Sequence, residues 1–140
     1  MTTIGDLAGT SWKGTAELWL DPLGNVAATS ECTVKVGESE VSYTWAYEGE
    51  PHQGRLALRA GGADFTDTFH SSTAMPCAAV PSTWALVDVF GTYEAGDGPP
   101  WGWRIAISQR PGGGEIVIQM TNVKPWGEDG RAVRMVAKRA

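Results

Sequence analysis

The sequence predicts an all-β protein, folded as a closed or nearly closed antiparallel up-and-down β-barrel of nine or ten strands. Short segments alternate apolar and polar residues with a period of two, which is the spacing of a half-buried strand. The 18 glycines and 8 prolines are spaced along the chain as turn signals rather than pooled in a linker. So many sequential strands must hide their edges, and closure into a barrel does so. A two-sheet sandwich is the alternative architecture.

The composition indicates one folded domain that spans residues 1–140. Hydrophobic residues make up 42% of the chain and charged residues 19%, which is typical of a globular protein and not of a disordered one. The net charge is −5 without any lysine or arginine cluster, so we expect no nucleic-acid partner. The start of the chain lacks the basic and apolar regions of a signal peptide, and no apolar run approaches the roughly 20 residues that cross a bilayer. We therefore expect a cytoplasmic protein with no membrane partner.

The first three predicted strands show the clearest alternation. In residues 12–20, one face carries Trp12, Ala16, Leu18 and Leu20. A β-turn is predicted at residues 21–24, where Pro and Gly follow Asp. The second strand, residues 26–36, ends with apolar side chains at even positions and polar ones at odd positions. The third, residues 41–47, alternates most strictly.

The later strands are separated by glycine and proline clusters. A fourth strand at 53–59 sets leucines against arginines, and a Gly-Gly turn leads into a fifth at 64–70. Residues 71–82 contain Pro76 and Pro81, so any strand there is expected to be short or at an edge. Strand patterns resume at 83–93, 101–109, 115–123 and 131–138. The residues expected to be mostly buried are Leu18, Val34, Trp45, Leu56, Leu58, Leu86, Ile105, Ile107, Ile116 and Ile118.

Two patches resemble known barrel families. Residues 7–14, with Gly9, Trp12 and Gly14, resemble the first strand of calycins, although one extra residue separates Gly9 from Trp12 relative to the Gly-x-Trp of lipocalins and nitrobindins. Residues 65–70, an Asp-x-aromatic-His segment followed by Met75 and Cys77, resemble a bacterial lipocalin-like family of unknown function. The resemblance implies a barrel with Trp12 as a plug at one end, and it implies no established activity.

The candidate ligand-binding residues are polar-tipped aromatics and one histidine. Tyr43, Trp45 and Tyr47 share one strand face, and Trp103 is placed similarly on a later strand; these side chains suit either a packed core or an oriented ligand pocket. His70 shares a polar row with Asp64, Thr66 and Thr68. The usual amphipathic pattern of a strand would place Phe65 and Phe69 inward instead. A lumen that holds a ligand tolerates polar side chains, however, and we expect His70 and Thr68 to face the lumen. Asp67 and His70 would meet only if the strand ends between them.

These features favour a small-molecule binding module that holds an apolar or amphipathic ligand inside the barrel. The alternative is a structural or protein–protein interaction domain with a filled barrel, which could form a homodimer through an aromatic-rich edge. A third hypothesis is an enzyme that uses His70 with Asp67 or Asp64. We expect no cofactor and no metal, because two histidines and the separate Cys32 and Cys77 offer no ligand spacing for zinc. Both cysteines are expected to be free thiols.

Overall fold

The protein is a closed barrel of ten antiparallel strands in up-and-down order, as seen in a computed structural model that describes residues 2–21, 25, 27–82 and 84–140. A 3-10 turn, Ile4–Leu7, precedes the first strand. The strands are β1 (Ser11–Trp19), β2 (Ala27–Val36), β3 (Glu40–Tyr47), β4 (Glu50–Arg59), β5 (Gly62–Asp67), β6 (Ser71–Ala79), β7 (Val87–Tyr93), β8 (Trp101–Gln109), β9 (Glu115–Val123) and β10 (Asp129–Arg139). Each strand pairs with its sequence neighbours, and β1 pairs with β10 to close the ring. The predicted barrel is confirmed, and the sandwich alternative is not what forms.

Several strand boundaries differ from the sequence prediction. The strands at 101–109 and 115–123 have the predicted bounds. The fifth strand stops at Asp67 rather than at residue 70, and the strand predicted at 83–93 begins at Val87. Residues 22–24 of the predicted turn, Val26 and Thr83 lie outside the described residues.

The expectation of a short or edge strand within residues 71–82 is wrong. β6 has nine residues and pairs along β5, where Pro76 lies opposite Asp64. Its register with β7 covers only Ala78 and Ala79. A proline lacks the N–H that a hydrogen-bond ladder needs. The side of β6 that faces β7 accommodates Pro76, because few residues pair there.

The barrel interior is filled with apolar side chains. Of the ten residues predicted to be buried, eight are buried, and Leu58 and Leu86 are partly buried against the same core. Leu20 is exposed rather than inward-facing, because β1 ends one residue earlier. A void of about 10 Å³ remains among the side chains around Phe65 and Ile105 in the middle of the barrel. Space for a ligand therefore has to lie elsewhere than in the middle of the barrel.

One end of the barrel is closed by Trp12. The indole is 0% exposed, and its N–H donates to Thr10 Oγ1 at 2.9 Å. The guanidinium of Arg139, on the last strand, lies 5.5 Å from the centre of the indole ring. Leu7 is buried in the core, and Ile4 packs against it, so the 3-10 turn covers this end. Trp12 thus occupies the position of a plug, as the sequence predicted.

Candidate functional site

A cavity of about 220 Å³ lies at the opposite end of the barrel. This end carries the turns between β3 and β4 and between β5 and β6, together with the longer loops that follow β7 and β9. The cavity is lined by Phe65, Phe69, His70, Met75, Tyr93, Trp103 and Asn122. The lining is mainly aromatic with a few polar atoms, which is the usual character of a small-molecule site.

Asp67 organises the turn beside the cavity. The side chain is 2% exposed, and its Oδ1 accepts hydrogen bonds from the backbone N–H groups of Phe69 (2.7 Å) and His70 (3.1 Å). Its Oδ2 accepts from the Tyr43 hydroxyl at 2.5 Å and from the Trp45 indole N–H at 3.4 Å. An aspartate that binds backbone N–H groups two and three residues ahead stabilises a tight turn. Asp67 therefore ends β5 and fixes the direction in which His70 leaves it.

The charge on Asp67 is stabilised by its partners. Burial alone would raise the pKa of Asp67, but the nearby His70 side chain, the Tyr43 hydroxyl and the Phe69 N–H together outweigh burial and lower this pKa below its ordinary value. Burial, and then the neighbouring Asp67 charge, raise the pKa of Tyr43 well above 10. At neutral pH the pair is therefore a carboxylate that accepts from a neutral phenol.

The pKa of Asp67 is lower in the folded protein than in the unfolded chain. The Asp67 charge therefore stabilises the folded barrel at pH values above the pKa of the unfolded chain. This stabilisation is lost as the pH falls through the pKa of the folded protein. We expect wild type to be more stable than Asp67→Asn at pH 7 and the difference to shrink below about pH 4. Urea unfolding of both proteins between pH 7 and pH 2.5 measures this difference. A gap that stays constant over the whole range would contradict it.

His70 lies between aromatic rings at the edge of the cavity. Its side chain is 14% exposed, and its ring centre is 5.8 Å from that of Trp45 and 5.0 Å from that of Trp103. His70 Nδ1 approaches Asp67 Oδ1 at 3.5 Å. In the part of the chain that the structure describes, neither His70 Nδ1 nor Trp103 Nε1 has a hydrogen-bond partner, although both atoms are buried. Buried polar atoms without partners are rare in native proteins and call for an explanation.

The predicted polar row does not face the interior as a unit. The inward positions of β5 are Ala63, Phe65 and Asp67, so the expectation that Thr66 and Thr68 point inward with His70 is wrong. The strand ends at Asp67, and the turn that follows redirects His70. Thr68 is exposed; its hydroxyl lies 2.9 Å from His52 Nδ1 and accepts from the Gln53 N–H. The opposite expectation, with both phenylalanines inward, holds for Phe65 and fails for Phe69, which is 41% exposed.

The aromatic row on β3 supports the cavity without lining it. Tyr43 and Trp45 are buried and bind Asp67, whereas Tyr47 is half-buried with its ring edge against Phe69 at 5.8 Å. Trp103 lines the cavity directly. Of the six residues proposed from the sequence, only His70 and Trp103 therefore border it.

Sequence reasoning missed Tyr93 and Asn122. The Tyr93 hydroxyl donates to Asn122 Oδ1 at 2.5 Å, and Asn122 is the register partner of Trp103. Both residues continue the inward alternation of their strands: Tyr93 is the last residue of β7, and Asn122 is the last but one of β9. Extending the alternation to the strand ends would have located them.

No group of three or more His, Cys, Asp or Glu side chains that could hold a metal ion occurs among the described residues. Asp67 and His70 meet, as the enzyme hypothesis required, with Asp67 Oδ1 3.5 Å from His70 Nδ1. A membrane-spanning helix is not found in the part of the chain that the structure describes.

Two larger depressions lie on the outer wall of β2 to β5. They are open grooves lined mostly by polar and charged side chains, and Thr68 borders both of them. Trp45 and His52 border one of these grooves rather than the cavity. The cavity differs from both grooves in holding the two buried nitrogen atoms without partners.

No protein-family model matches the chain, and no curated protein is similar enough to it to indicate a relationship.

Proposed function

We propose that the protein is a small-molecule binding module whose ligand occupies the cavity beside His70 and Trp103. The observation that carries this proposal is the pair of buried nitrogen atoms without partners on two side chains that line one aromatic cavity. An occupant with suitable polar atoms would satisfy groups that the fold leaves unpaired. The closed barrel also agrees with the architecture that the lipocalin-like resemblance implies.

The size of the cavity limits the ligand. A volume of about 220 Å³ is below the roughly 300–1,000 Å³ of sites for drug-sized molecules. The ligand is therefore small, on the scale of one substituted ring. The lining contains neither lysine nor arginine, and the chain carries a net charge of −5, so neutral apolar or amphipathic molecules fit better than nucleotides or other polyanions.

A thermal-shift screen with small aromatic and apolar compounds tests the proposal, because a ligand that binds only the folded state raises its stability. We expect stabilisation by compounds of this class and none by ATP. Stabilisation by ATP and other phosphates alone would refute the ligand class.

His70→Ala is expected to weaken the binding of a compound found in that screen by roughly two- to tenfold, through loss of an aromatic contact. The cost in stability should stay below about 1.5 kcal/mol, because the backbone N–H of His70 still binds Asp67. Isothermal titration calorimetry gives the affinity, and urea unfolding gives the stability.

His52→Ala is the matched control for this substitution. His52 also stacks on Trp45, with ring centres 4.8 Å apart, but it does not line the cavity. Its removal should leave the affinity unchanged. Equal effects of the two substitutions would show that the ligand lies elsewhere.

The filled interior favours one other candidate, a structural or protein–protein interaction domain. The middle of the barrel retains only about 10 Å³ of void, and Trp84 and Trp126 expose most of their surface. Exposed aromatic side chains are frequent at protein interfaces. This candidate predicts that no compound raises the melting temperature and that sedimentation shows a homodimer or another assembly.

A further inference from the structure

We infer that the cavity selects a neutral aromatic molecule that carries a hydrogen-bond acceptor, such as a ketone, aldehyde or amide carbonyl. This inference rests on the proposed ligand-binding function and names the chemical class of the ligand. It starts from Trp103, which is 4% exposed and lines the cavity. An indole nitrogen can only donate, and among the described residues nothing accepts from this one. The missing partner is therefore an acceptor.

The other polar groups of the lining do not supply that acceptor. The Tyr93 hydroxyl is engaged with Asn122 Oδ1 at 2.5 Å. His70 Nδ1 lies 3.5 Å from Asp67 Oδ1. This nitrogen does not accept from the Trp103 N–H. A ligand acceptor within about 3 Å of Trp103 Nε1 would complete this hydrogen bond.

The ring systems around the cavity favour a flat, aromatic body for the ligand. Phe65 stacks on Trp103 with ring centres 5.9 Å apart and an interplanar angle of 21°. Tyr93 presents its ring to Trp103 edge-on at 6.4 Å. A planar ring can enter such a set in stacked and edge-to-face contacts, which are the favoured aromatic geometries.

The local charge favours a neutral acceptor over a carboxylate. Asp67 is an ionised, buried group directly behind His70. The Asp67 carboxylate lies 3.5 Å from His70 Nδ1, and no arginine or lysine lines the cavity. An anionic ligand would lose its hydration here without gaining a counter-charge.

Three probes of one size test the inference by isothermal titration calorimetry: acetophenone, ethylbenzene and benzoate. Acetophenone and ethylbenzene differ in the carbonyl oxygen, and benzoate adds the negative charge. We expect acetophenone to bind roughly five- to tenfold more tightly than ethylbenzene, in keeping with one added hydrogen bond. Benzoate should bind more weakly than acetophenone. The indole N–H resonance of Trp103 should shift with acetophenone and much less with ethylbenzene.

Trp103→Phe keeps an aromatic ring and removes the donor. Acetophenone should then bind no better than ethylbenzene, while the affinity for ethylbenzene changes less than about twofold. Trp126→Phe is the control, because its indole N–H donates to Glu128 and lies off the cavity; the preference for acetophenone should survive. If Trp103→Phe fails to fold, the wild-type comparison and the indole resonance still decide.

The outcomes separate the two proposals. Equal affinity for acetophenone and ethylbenzene would overturn the acceptor inference while the ligand-binding function stands. Tightest binding of benzoate would overturn the preference for a neutral ligand. If neither these probes nor the compounds of the thermal-shift screen bind, the proposed function itself fails.

Discussion

Trp12→Ala is expected to destabilise the protein by about 3–5 kcal/mol, the range for removing a large buried aromatic side chain. The substitution empties the closed end of the barrel, removes the hydrogen bond to Thr10 and removes the ring beneath Arg139. Neighbouring strands hold their positions through backbone hydrogen bonds, so the wall cannot collapse into the space. Urea unfolding monitored by far-UV circular dichroism measures the loss.

The control for this substitution is Trp84→Ala. Trp84 is 86% exposed, and its removal should change the unfolding free energy by less than about 0.5 kcal/mol. A loss below about 1 kcal/mol for Trp12→Ala would mean that the indole does not plug the barrel. The calycin-like interpretation of the first strand would then have no support.

Asp67→Ala is expected to cost about 3–5 kcal/mol, because it leaves one buried and two partly buried donors without their acceptor, at about 1–3 kcal/mol for each donor that stays unpaired. These donors are the Tyr43 hydroxyl and the backbone N–H groups of Phe69 and His70. The turn that carries His70 loses its main hydrogen bonds at the same time. We therefore expect ligand affinity to fall together with stability.

Asp64→Ala is the matched control on the same strand. Asp64 is partly exposed and pairs with Arg59 at 3.3 Å, and surface pairs of this kind contribute about 0–1 kcal/mol. Unfolding free energies from urea titrations at pH 7 compare the two variants. Similar, small losses for both would show that Asp67 does not organise the turn.

The candidate site could be predicted only in part, and His70 shows why. The sequence predicts His70 as a candidate ligand-binding residue. It also predicts that Asp67 contacts His70 only if the strand ends between them. Whether the strand ends there depends on four donors that converge on one carboxylate, two of which, Tyr43 and Trp45, come from a strand more than 20 residues away. No local pattern reports such a convergence. The prediction that Thr68 faces the barrel interior is therefore wrong, because Thr68 lies on the outer face.

The sequence by itself determined the order of the strands and the apolar side of most of them, because a period of two is a local property of the chain. The closed barrel was favoured over a two-sheet sandwich, since nine or ten sequential strands have edges that must be paired, and the structure confirms it. The tertiary structure alone decided that the middle of the barrel is filled and that the remaining space lies at the end opposite Trp12. Alternation states only that a side chain points inward. The space left over depends on how side chains from all ten strands, such as Phe65, Ile105 and Met135, fit together inside the barrel.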